Sequence, residues 1–202
     1  MQGLDDIATE IESQLNEKEE VREIALKSSR TIVRMCGMGV RSMHLGEDPV
    51  PHMNEAMEEL HKLVGITRDF PDLMHSGIVE SAMQEFVEVK TLHAYTLGEP
   101  LPSYKELGVT PEAYILGTGD MIGEIRRLAL DNIRKGKVDG AAEHLEHMEK
   151  LYDFLMNFNY PDSMVAVRRK QDIARGILEK TRGDVTNAIR SHSLEKALAK
   201  KR

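Results

Sequence analysis

The fold class predicted for this chain is all-α: one antiparallel bundle of about seven helices occupying residues 1–202 as a single domain. Three observations predict it. Apolar residues recur at steps of three and four along long stretches, the spacing of one helix face. Proline and glycine gather at a few points, where they punctuate those stretches. Aromatic residues are only 4% of the chain, with no tryptophan and 12 methionines, a composition poor in the residues that build sheets.

The first helix is expected from about Leu4 to His44, with Ile7, Ile11, Leu15, Val21, Ile24, Ser28, Ile32 and Met35 as a single core stripe. Gly46 to Pro51 breaks it, and a second helix covers roughly His52 to Ile66. Pro71 opens a third that runs to about Leu97, where Gly98 and Pro100 end it. Thr110 followed by Pro111 is a strong start signal, an N-cap before a proline at the first helical position. That fourth helix runs to about Lys135, with Gly136 at the C-cap. A fifth covers Val138 to Met156, a sixth opens at Pro161 and runs through Arg182, and Gly183 with Asp184 separates a short seventh. The connections are short except around 98–110, so neighbouring helices are expected to be antiparallel.

A single cysteine, Cys36, excludes an intramolecular disulfide, and its apolar neighbours Met35, Met38 and Val40 place it in the core. No apolar run is long enough to span a membrane, and the N-terminus has no apolar signal core. The expectation is therefore a soluble cytoplasmic protein with no membrane partner. The net charge of −7 argues against a crude polyanion binder. Nearly all of that excess sits in residues 1–20, where seven acids face Lys18 alone. Basic groups cluster beyond it, at Arg126–Arg127, Arg134–Lys137, Arg168–Lys170 and Lys200–Arg202, so nucleic-acid binding is allowed but not demanded.

Two acid pairs stand out. Glu85 and Glu88, three apart, project from one side of the third helix; its apolar arc centres on Val79, Ala82, Phe86 and Val89. Asp120 and Glu124, four apart, share a side of the fourth helix, opposite a stripe of Ile115, Ile122, Ile125 and Ala129. Two such helices could bring four carboxylates into one site, an oxygen-only donor set suited to Mg²⁺ or Mn²⁺ and so to phosphodiester hydrolysis. Equally, like-charged pairs at these spacings are common on solvated helix faces. Gly117, Gly119 and Gly123 each cost about 1 kcal/mol of helix stability relative to alanine, which points to close approach by a backbone or a ligand. Close helix packing explains them as well.

Rival metal clusters are weaker. Glu58 with His61 is one Glu-x-x-His step of the di-iron kind, but no second step exists in the chain. Glu143, His144, Glu146 and His147 could hold a metal from one helix face, though such a run is more often an exposed polar surface. No nucleophile elbow, phosphate-binding loop or dinucleotide glycine pattern occurs.

The same acidic stretches resemble the translin superfamily, and within it the branch of translin-associated factor X (Trax). Met83 to Val89 is similar to the Trax stretch Leu-Gln-Glu-Tyr-Val-Glu-Ala. Tyr114 to Arg126 is similar to its Tyr-Leu-Leu-Gly-x-x-Asp-Leu-Thr-Gly-Glu-Leu-Met-Arg, with glycines and acids in the same register. Arg22 to Ile24 and Ser29 to Ile32 resemble a segment of its first helix, so the likeness touches about 22–135. The resemblance implies a seven-helix fold and a catalytic metal site formed by Glu85, Glu88, Asp120 and Glu124. It also implies a hollow homo-octameric shell around single-stranded RNA, with single-stranded DNA as a second ligand class. The basic, aromatic stretch that translin carries before the third helix is not reproduced around Met74–Val79, where His75 stands nearly alone. Arg30, Arg126 and Arg127 are the substitute candidates for nucleic-acid contact. The sequence-level reading is a Mg²⁺- or Mn²⁺-dependent endoribonuclease, and its alternative is a non-catalytic nucleic-acid-binding scaffold of the translin kind.

Overall fold

A computed structural model describes residues 3–200. Among them there are eight helices and no strand: α1 (Leu4–Leu45), α2 (Val50–Thr67), α3 (Pro71–Met74), α4 (Gly77–Leu97), α5 (Tyr104–Leu107), α6 (Pro111–Arg134), α7 (Val138–Met156) and α8 (Val167–Ala199). None is long and apolar enough to cross a membrane.

The chain is organised in two compact units that divide between Val89 and Lys90. In the first, α1 packs along α2 over Ile32, Met35, Cys36, Met53, Ala56, Leu60 and Leu63, all buried. The predicted apolar arc of α4 is also buried, with Val79, Ala82 and Val89 at 0% exposure and Phe86 at 1%. In the second unit, α6, α7 and α8 pack against one another. Ile122, Ile125, Ala129, Ala141, Met148, Leu155, Ala174 and Leu178 supply its core.

Local chemistry explains where the helices begin and end. Thr110 Oγ1 accepts from the Ala113 N–H at 3.1 Å, with Pro111 next in line, so α6 starts where expected. Gly46 closes α1 at φ 74, a left-handed conformation that favours glycine, and its N–H reaches the Met43 carbonyl at 3.2 Å.

Five expectations are corrected. The helix expected from Pro161 opens six residues later, at Val167 of α8. The third helix is two pieces: the Ser76 hydroxyl and N–H both donate to the Leu73 carbonyl, closing α3 before Gly77 opens α4. A short helix, α5, lies in the connection at 98–110, set by a capping box in which Ser103 and Glu106 satisfy each other's backbone N–H groups. Gly183 and Asp184 do not interrupt α8, because the buried stripe Ala174, Leu178, Thr181 and Val185 runs straight past them. Packing along that stripe outweighs one helix glycine. Finally, the core stripe of α1 covers only its second half: Ile7, Ile11, Leu15 and Ile24 are each about half exposed. At about 1.5 Å per residue, 42-residue α1 far outruns 18-residue α2.

Candidate metal and nucleic-acid site

In the first unit, Glu85 and Glu88 are half-buried on the flank of α4. Helix α1 comes close to this flank through Gly39, where a Cβ would lie 2.9 Å from Val89 Cγ2. One turn earlier sits Cys36. Its thiol is pushed far up, first by burial and then by the charges of Glu85 and Glu88. The two carboxylates therefore direct their field at a common point on α1, as residues three apart on one helix side can.

In the second unit, Asp120 and Glu124 are half-buried on α6. Asp120 accepts a charge-assisted hydrogen bond from the ammonium of Lys170 on α8. Gly119 makes room for that helix: a Cβ there would lie 3.5 Å from both Leu155 Cδ1 and Lys170 Cβ. Gly123 differs, since a Cβ there meets nothing within 4 Å. Among the described residues, the close neighbour expected at Gly123 is thus absent.

Among the described residues, no three His, Cys, Asp or Glu side chains are grouped to hold a metal ion. Glu58 and His61 are both exposed. His144 and His147 turn instead toward Tyr95, with Nδ1 to Oη distances of 2.6 and 3.1 Å.

The three candidate arginines are in different situations. Arg30 and Arg127 are exposed. Arg126 is engaged within its own unit, donating to Thr181 Oγ1 at 2.6 Å and to Asp184 Oδ2 at 2.9 Å. A phosphate would have to compete with that pair for its guanidinium. Of the other basic clusters, Arg168 and Arg169 are exposed beside Lys170, and Arg134 pairs with Asp131 at 3.0 Å. Lys201 and Arg202, part of the last cluster, lie outside the described residues. Sequence reasoning missed Lys170 as the partner of Asp120, because fifty residues separate them and only packing of α8 on α6 joins them. Its place in the Arg168–Lys170 cluster was the only signal.

An all-α chain whose α4 and α6 each carry an acid pair defines the class, and comparison with known proteins supplies the family. The chain belongs to the translin family, whose profile matches residues 18–182. An uncharacterized protein of Methanocaldococcus jannaschii is 40% identical over 188 residues, covering 91% of this chain and 83% of that protein. Among solved structures, AfC3PO in complex with duplex RNA superposes with a TM-score of 0.82 at 33% identity, covering 91% of this chain and 97% of that one. A crystal structure of AfC3PO gives the same TM-score and coverage at 34% identity. Apo-NeC3PO shares the fold, with a TM-score of 0.72 at 23% identity over 93% of this chain and 98% of that one.

Proposed function

We propose that this chain is the active subunit of a metal-dependent endoribonuclease of the Trax kind, cutting single-stranded RNA within a homo-oligomeric shell. The observation that carries the reading is the acid register: a translin-family chain keeps both carboxylates on α4 and both on α6, each pair on one half-buried helix flank. The AfC3PO complex with duplex RNA supports an RNA ligand for this relative.

Glu85, Glu88, Asp120 and Glu124 would hold the cation. Their oxygen-only donor set fits Mg²⁺ or Mn²⁺. So does the setting of Asp120, which already stabilises a positive charge at its carboxylate. When bound, such an ion lowers the pKa of a coordinated water and offsets charge building on the phosphate. The protein's own residues do the rest. Lys170 holds Asp120 in position, and its ammonium becomes available to a phosphate once another cation shares that carboxylate. The open space at Gly123 would let a strand approach that side of α6. Exposed Arg30 and Arg127 would meet phosphates by charge alone, which would make affinity salt-dependent.

The test is cleavage of single-stranded RNA, duplex RNA and single-stranded DNA with and without Mg²⁺ by the wild type and the Asp120→Asn, Glu124→Gln double variant. Metal-dependent cutting of single-stranded RNA that the double variant loses supports the reading. Equal cutting by both overturns it. One observation favours a second reading, the non-catalytic scaffold: Asp120 is already neutralised by Lys170. RNA binding without cleavage under any divalent cation would establish it.

A further inference from the structure

The end of α4 and the middle of α7 build a second polar centre that the acid pairs do not use. Tyr95 Oη takes both imidazoles, His144 through Nδ1 at 2.6 Å and His147 through Nδ1 at 3.1 Å. The rings pack together, the first pair tilted with centroids 5.8 Å apart and the second edge-on at 5.4 Å. A phenol has one proton, so it donates to one Nδ1 and accepts from the other. With both rings neutral, the two are opposite tautomers. Their remaining nitrogens differ accordingly: one Nε2 carries a proton and the other is a bare acceptor.

This donor and acceptor border a cavity of about 710 Å³, within the range that takes small molecules. Leu101, Leu128 and Leu151 form apolar walls, and Glu99, Glu143 and Lys150 stand at its polar edge. Two carboxylates against one ammonium disfavour an anion inside. Burial pushes Tyr95 up to about 12 and, as the largest of several effects, holds His144 below its usual 6.5, so neither offers a charge at neutral pH. The occupant these features fit is neutral and planar, with a hydrogen-bond acceptor beside an amino group. The acceptor meets the Nε2–H of one imidazole, and the amino protons are shared between the bare Nε2 of the other and a carboxylate. A uracil edge, with carbonyl oxygens toward the glutamates, fits worse.

We propose that this cavity is a binding site for an adenine base, taken from an RNA strand or a free nucleoside, with any phosphate left outside. Adenine offers N7 as acceptor next to the N6 amino group. The site needs no part of the nuclease reading.

Binding of adenosine and of uridine is measured calorimetrically on the intact protein, for the wild type and for Tyr95→Phe, His147→Ala and Glu143→Ala. Adenosine should saturate the wild type and outbind uridine. Tyr95→Phe and His147→Ala should weaken adenosine by about tenfold or more, since each leaves polar groups unpaired. Glu143 is exposed, so Glu143→Ala tests the site without threatening the fold. Competition by oligoadenylate assigns the base to a strand, and binding without such competition assigns it to a free nucleoside. Absence of saturation, equal binding of uridine, or wild-type affinity in folded Tyr95→Phe and Glu143→Ala overturns the proposal. RNA cleavage is recorded on the same samples, and Asp120→Asn, at a residue that does not itself line this cavity, should keep adenosine affinity. Failure of the adenine site with metal-dependent cleavage intact is thus distinct from failure of the nuclease reading.

Discussion

Asp120 shows most directly how one residue can serve either reading. Its carboxylate is 27% exposed and is paired with Lys170 at 21%. A divalent cation at Asp120 must share the carboxylate with an ammonium already there. Lys170→Gln should therefore bind Mn²⁺ about fivefold more tightly, the scale of one partly screened ion pair, and still cleave RNA more slowly. A lysine that only braces α8 against α6 would not give those opposite signs, and weaker or unchanged Mn²⁺ affinity in a folded Lys170→Gln protein would count against its role. Asp120→Asn with Glu124→Gln should reduce cleavage by about a hundredfold or more, because the cation supplies several kcal/mol. The loss of stability, read by denaturant, should stay within about 1 kcal/mol. Glu146→Gln, on an exposed part of α7, is the matching control.

His144 gives the residue scale a pH dependence. Its folded pKa is lowered from 6.5, chiefly by burial, with His147 adding to the shift and Glu143 opposing it. The unfolded chain then binds a proton more readily than the folded one. Stability from this group is complete above pH 6.5 and is lost as pH falls through and below that value. The thermal midpoint should decline on acidification over that window, and the decline should be shallower in His144→Asn. An identical slope in the two proteins would remove His144 as a cause.

At the scale of elements, two glycines on different helices make opposite predictions. Gly123 faces open space on α6, so Gly123→Ala should stabilise the chain by roughly 0.5–1 kcal/mol through helix propensity. If RNA passes there, cleavage should fall despite the gain. Gly39 on α1 is closed in by Val89, and Gly39→Ala should cost about 1–3 kcal/mol. Denaturant midpoints of the two variants shifting in the same direction would refute this account of the helix surfaces. The start of α6 and both ends of α7 could be read from local signals, above all Thr110, Pro111 and Gly136. The break at Ser76 and the continuity of α8 through Gly183 could not. The first turns on side-chain and backbone bonds to the Leu73 carbonyl, and the second on a stripe that packing buries.

At the scale of the molecule, the proposed self-association needs a different motive from the width of the α4 arc. Val79, Met83, Val87 and Leu92 are all buried within one chain. The unpartnered apolar surface lies elsewhere, at Leu4, Ile7, Ile11 and Leu15 on α1 and at Ile189, Leu194 and Leu198 on α8. A second copy of the chain is the economical cover for stripes of this length. Sedimentation of the wild type should show a particle well above 22.8 kDa. Ile7→Glu with Ile11→Glu should lower that mass and leave the helical signal unchanged, since both positions are exposed in the monomer. A wild-type monomer at micromolar concentration would end the shell proposal. The single-domain expectation meets its own test in calorimetry. Because α4 runs unbroken through the division at Val89, one cooperative transition is expected despite the two units.

The sequence by itself determined the helical class, the order of the main helices, the buried arcs of α4 and α6, and the core position of Cys36. Each follows from a periodicity or a cap that spans at most a few turns. It also placed the two acid pairs on their helix flanks, since spacing of three or four settles which side a residue takes. Tertiary structure alone decided what those flanks meet. Lys170 reaches Asp120 across fifty residues, Arg126 is drawn to Thr181 and Asp184, and Tyr95 gathers two histidines from α7. Such pairings depend on which helices pack and at what rotation, a choice made by burial across the whole chain and not by any local pattern.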